Sequence, residues 1–99
     1  MSSVSVERAL TVRFFSTVKK VFGVGEVEVA SGSAVDVAEL LASVCDSQEK
    51  TRAVFAAAGE LRGDITVLVN GRNIALLQGL LTPVGAGDVV AVVPPMAGG

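Results

Sequence analysis

The 99-residue chain is 51% hydrophobic, has four aromatic residues that are all Phe, and carries a net charge of −2. This length makes one domain with a single aliphatic core, and the mildly acidic balance argues against nucleic acid or an anionic membrane as the main partner. With no His, Trp or Tyr and one cysteine, Cys45, the sequence has no zinc-ligand set, no internal disulfide and no evident base for a Ser or Thr, which argues against a self-contained enzyme and against a bound metal or cofactor.

Residues 1–8 are polar and read as a loose N-terminus without the basic-then-apolar run of a signal peptide. No apolar run nears the roughly 20 residues of a membrane span, and the lone cysteine fits a reducing cytoplasm. Leu10-Thr11-Val12-Arg13-Phe14-Phe15 alternates with the period of a half-buried strand. Leu10, Val12 and Phe14 face the core, which leaves Phe15 as an aromatic on the wet side. Thr17 to Phe22 has helical spacing but is too short for a stable helix, so a turn or single helical turn is expected there, closed by Gly23 and Gly25. Gly23-Val24-Gly25 is no phosphate loop, since it lacks the Gly-Lys-Ser/Thr that would follow. Glu26-Val27-Glu28-Val29 alternates again and forms a wide hairpin with the first strand.

Ser33 to Asp36 fits a capping box, and Val37, Leu40, Leu41 and Val44 then recur as the apolar stripe of a helix of about three turns. Cys45 near its end reads as a half-buried packing residue with nothing nearby to lower its pKa. Asp46 and Glu49 repeat the capping pattern for a second, weaker helix, Gln48 to Ala58, closed by Gly59, in which Val54, Phe55 and Ala58 could pack. Asp64 to Val69 is a third strand. Asn70-Gly71 is a strong hairpin signal leading into a short strand around Arg72 to Ala75. Leu77 to Thr82 is a compact turn, Pro83 a stop, and Gly85-Ala86-Gly87-Asp88 a tight turn into the apolar strand Val89 to Val93. Pro94 and Pro95 end that strand because they cannot donate ladder hydrogen bonds. Met96-Ala97-Gly98-Gly99 follows, a slender end suited to a narrow channel.

This order predicts an α+β, ubiquitin-like β-grasp. Its mixed sheet has four to five strands, with one main helix and a second short one, and its first and last strands run side by side and parallel. The domain spans residues 9–93, and residues 94–99 form a flexible tail. If Val90 and Val92 point inward, Val93 points outward at the same end and on the same face as Phe15, with Leu68 one strand over. Phe15, Leu68 and Val93 are therefore the expected partner-contact stripe.

Several of these pieces together resemble the MoaD family, the small sulfur-carrier subunit of molybdopterin synthase. They are Val12-Arg13-Phe14-Phe15, Val69-Asn70-Gly71-Arg72-Asn73-Ile74, Leu81-Thr82-Pro83-Val84, Gly87-Asp88-Val89-Val90 and Pro94-Pro95-Met96-Ala97-Gly98-Gly99. The resemblance implies a carrier that is not catalytic alone. An adenylating enzyme resembling the ubiquitin activators would use ATP to activate Gly99, and a sulfur donor would convert it to a thiocarboxylate. Pro94, Pro95, Met96, Ala97 and Gly98 would then enter the large synthase subunit, where the sulfur passes to the pterin precursor of the molybdenum cofactor. The segment from Asp46 to Arg62 makes this chain longer than the shortest family members and similar to longer MoaD-like carriers. For these, the alternatives are sulfur delivery to cysteine, thiamine or tRNA thiolation, or protein modification through an isopeptide bond at Gly99.

Overall fold

The computed structural model describes residues 9–56 and 59–95. The loose N-terminus expected for 1–8, Ala58, and Met96, Ala97, Gly98 and Gly99 lie outside the described residues. The chain runs β1 (Ala9–Phe14), α1 (Ser16–Phe22), β2 (Glu26–Ala30), α2 (Val37–Val44), α3 (Gln48–Val54), β3 (Thr66–Val69), β4 (Arg72–Asn73) and β5 (Val89–Val93). The sheet has five strands in the order β2-β1-β5-β3-β4. β1 and β5 are parallel neighbours at its centre and the other pairs are antiparallel, as the α+β β-grasp reading requires.

The alternation read from β1 is the one observed. Leu10, Val12 and Phe14 are buried and join Val67, Val69, Val90 and Val92 on the inner face of the sheet. Val37, Leu40 and Leu41 of α2 and Val54 of α3 close the core from the other side. The Asn70-Gly71 hairpin is present with left-handed φ values of 52° and 84°, the twist that suits a two-residue connection.

The helices depart from expectation in their ends. Thr17 to Phe22 is part of a seven-residue helix with no side-chain cap. Isolated, it would be too short to hold. Burial of Val18 and Phe22 holds it, with the Phe22 ring stacked on Phe14 at 4.0 Å between centroids. The capping box of α2 is Asp36–Glu39, not Ser33–Asp36. Asp36 Oδ1 accepts from the Glu39 N–H at 2.9 Å, and Glu39 Oε1 accepts from the Val35 N–H at 2.9 Å. The shift follows from pairing of Asp36 with Pro83, which keeps the chain extended until Val37. α2 is accordingly eight residues long, shorter than three turns.

In α3 the cap is Ser47, whose Oγ accepts from the Lys50 N–H at 3.1 Å, while Asp46 binds the Lys50 ammonium at 2.7 Å. The helix stops at Val54 instead of Ala58, because Phe55 turns extended and bridges Leu61. Gly59, at φ 77°, serves that reversal and does not cap the helix. The short strand after the hairpin ends at Asn73, where Ile74 turns inward and starts a 3-10 turn.

Candidate functional site

The register of the sheet decides what its outer face presents. One row crosses all five strands as Glu26, Arg13, Ala91, Leu68 and Asn73. Val93 opposes Thr66 in the next row, and Phe15 follows Phe14, which opposes Val92. Phe15 thus stands level with Val93, and Leu68 lies diagonal to Val93, within reach of long side chains. Phe15 is 40% exposed, while Leu68 and Val93 are half-buried. The three residues named from alternation therefore share one face, with Phe15 and Val93 at one end and Leu68 in the row of Ala91.

Local backbone sets Phe15 in place. Its own conformation is extended, but Ser16 has a φ of 52° and turns the chain abruptly into α1. The Phe15 carbonyl accepts from the N–H groups of Val18 and Lys19 at 3.1 and 3.3 Å. Its main chain is tied into the helix while its ring stays on the sheet's outer side. The Arg13 guanidinium lies 5.8 Å from the ring centroid and 3.6 Å from Glu26. At about 53% and 55% side-chain exposure, that ion pair leaves Arg13 available to a partner.

The residues leading to the tail divide in two. Pro94 is buried and Pro95 is exposed. Pro94 continues the inward series of Val90 and Val92 past the point where pairing stops. It lines an open groove of about 500 Å³, whose walls include Val18 and Val21 of α1, Ala53 of α3, and Ile65. Arg52 and the Arg62–Asp64 pair, 2.8 Å apart, rim this groove. The longer 46–62 segment thus builds one wall beside the tail root. Sequence reasoning missed this wall. The one available signal was the packing potential of Val54 and Phe55, which shows that the segment docks but not where.

Cys45 is a half-buried free thiol whose surroundings disfavour the thiolate. Burial, reinforced by the Asp46 carboxylate and only partly opposed by Lys50, pushes its thiol up to about 11. Among the described residues no group of three or more Cys, Asp or Glu side chains could hold a metal ion, and no helix is long and apolar enough to cross a membrane. The described surface offers an apolar stripe on the outer sheet face and a groove around Pro94.

The chain is similar to known proteins in both sequence and fold. Small archaeal modifier protein 3 of Haloferax volcanii is 32% identical over 90 residues, which cover 91% of this chain and 98% of that protein. The solution structure of small archaeal modifier protein 1 from Methanosarcina acetivorans superposes with a TM-score of 0.77 at 28% identity, covering 92% of this chain and 96% of the other. A chain in the crystal structure of the Amycolatopsis orientalis BexX/CysO complex matches with a TM-score of 0.75 at 26% identity, covering 92% of this chain and all of its own length (100%). The model of the ThiS family matches residues 12–99. The chain therefore belongs to the ThiS family of ubiquitin-like sulfur carriers.

Proposed function

We propose that the Gly99 carboxylate is the reactive end of this carrier and that the small subunit of a molybdopterin synthase is its role. A carboxylate is a poor acyl donor, and the described residues hold no group that could activate it. Activation falls to an adenylating partner. There a carboxylate oxygen attacks the α-phosphorus of ATP and pyrophosphate leaves. A sulfur donor at the level of sulfide then attacks the acyl carbon and displaces AMP, which leaves a thiocarboxylate. Pro95, Met96, Ala97 and Gly98 carry that group into the large synthase subunit, and the sulfur passes to the pterin precursor.

The observation that supports this reading is the placement of Phe15 and Val93 level with each other where β5 passes into the tail. Ordering five tail residues costs about 5–10 kcal/mol, which takes roughly 200–400 Å² of buried apolar surface to offset. A stripe of Phe15, Leu68 and Val93 beside the tail root is of the right kind and in the right place. Burial of Pro94 lowers the cost, because one residue fewer remains to be ordered.

A second reading has a specific observation behind it: the 32% identity to a protein named as a modifier. In that role Gly99 forms an isopeptide bond with a lysine of another protein. Sulfur delivery for cysteine, thiamine or tRNA thiolation shares the first two chemical steps. The intact mass of the protein from its own cell separates these from an inert tail. A C-terminus heavier by the difference between sulfur and oxygen is expected. A tail that is never thiocarboxylated, in cells actively making molybdenum cofactor, would sink the synthase role. Lysines of other proteins that carry a branch ending in this chain's Gly98-Gly99 would favour the modifier.

A further inference from the structure

Residues 74–87 contain no charged side chain, although 18% of the chain is charged. The run folds as two successive 3-10 turns, Ile74–Leu76 and Gly79–Leu81. The Thr82 hydroxyl closes them by accepting from the Gln78 N–H at 3.1 Å. The chain then lies against residues 35–37, with the Val37 N–H donating to the Thr82 carbonyl and the Val84 N–H to the Val35 carbonyl. Ile74 points into the core, but Leu76 is 83% exposed, Leu81 is 70% exposed and Val35 is 65% exposed. Single exposed apolar residues are ordinary, but several large ones on adjoining segments mark an interaction surface. None of them belongs to the Phe15–Leu68–Val93 stripe.

The charges around it say what fits. Asp36 and Glu39, at the start of α2, flank the Val35 side. Arg72 of β4 flanks the Leu76 side, is exposed, and has no ion-pair partner among the described residues. Along the chain path the surface runs from Arg72 through the uncharged 74–87 run to Val35, beside Asp36 and Glu39. Turned about a two-fold axis through its middle, such a patch lays leucine on leucine and acid on base. We propose that this is a self-association surface. A second copy of the chain covers Leu76, Leu81 and Val35, and Arg72 of each copy faces Glu39 of the other. Phe15, Leu68 and Val93 take no part in it, whatever chemistry the C-terminus performs.

The test is sedimentation equilibrium of the full chain from about 10 μM to 1 mM, the range in which a small interface becomes populated. A monomer–dimer equilibrium is expected. The double substitution Leu76→Lys and Leu81→Lys should weaken it by at least about 100-fold, since each buried leucine is worth tenfold or more. Both leucines are exposed in the monomer, so its unfolding midpoint should hold. Arg72→Glu should weaken association, because each copy then sets acid against acid. A parent that stays monomeric at the highest concentration overturns the proposal. So does association that the leucine substitutions leave intact, or an Arg72→Glu chain that associates as tightly as the parent.

Discussion

The two ends of β5 are held by opposite means. At its start, polar groups interlock. The Asn70 Nδ2–H donates to Asp88 Oδ1 at 2.9 Å, the Val89 N–H donates to Asn70 Oδ1 at 3.0 Å, and the Gly85 N–H donates to Asp88 Oδ2 at 2.8 Å. Backbone bonds from Gly87 to Ala9 and from Thr11 to Asp88 tie the same turn to β1. At its finish β5 passes into Pro94, which has no N–H to donate and is held by apolar contact with its neighbours in the groove. Hydrogen bonds are directional and fix one geometry, whereas apolar packing leaves a surface that a second protein can extend. One end of the strand is therefore fixed by directional bonds and the other by apolar packing.

Substitutions at the two ends should fail in different ways. The largest effect is expected at the polar end. Asn70→Ala removes both side-chain hydrogen bonds and places a Cβ-bearing residue without local bonding at φ 52°. A loss of about 2–3 kcal/mol in denaturant unfolding is expected. Asn70→Gly, which tolerates the left-handed backbone, should lose about half of that. Adenylation by the activating enzyme should stay within twofold for both while they remain folded. A stability change under about 0.5 kcal/mol for Asn70→Ala would remove the contrast between the ends. At the apolar end the pattern should reverse. Phe15→Ala should cost less than about 1 kcal/mol of stability, because the ring is already 40% exposed. It should lower the efficiency of adenylation about tenfold through KM with little change in kcat. An unchanged KM would show that the stripe does not dock the activating enzyme.

What was legible in the sequence follows the same contrast. Alternation placed Phe15, Leu68 and Val93 on one face, because a period of two leaves a strand residue only two directions. The Asn70-Gly71 turn was legible because few residues tolerate its left-handed pair of φ values. α1 was not, since seven residues without a side-chain cap have no local reason to be helical. Its reason is the burial of Val18 and the stack of Phe22 on Phe14, contacts between residues that only the fold brings together. The true caps of α2 and α3 were hidden for a related reason. Polar residues that can cap stand at 33 and 36, and again at 46 and 47. Pairing of Asp36 with Pro83 and of Asp46 with Lys50 decides among them. Adjacent prolines look alike in sequence, and only packing separates buried Pro94 from exposed Pro95.

The smallest effect is expected in α3 and the residues before it, where a change should register at neither end of β5. The Asp46 carboxylate accepts from the Lys50 ammonium at 2.7 Å, and that bond holds its pKa below the ordinary carboxylate value. A carboxyl with a lowered folded-state pKa stabilises the fold above its ordinary pKa, and this contribution is lost as pH falls through the folded value. Asp46 is fully exposed, so solvent screens the pair. Asp46→Asn should therefore differ slightly from the parent at neutral pH and converge with it in acid. The neighbouring thiol has the opposite sign. Cys45 is raised from 9.0 to about 11, chiefly by burial, so its neutral form is the one the fold favours. Its contribution is complete below pH 9 and is lost as pH rises toward 11. Asp46→Asn also removes the second cause of that rise, so the alkaline fall of the variant should be shallower than the parent's. Unfolding curves across the pH range check both limbs. Parallel curves for parent and variant in acid and alkali would mean that Asp46 interacts with neither Lys50 nor Cys45 in the folded chain.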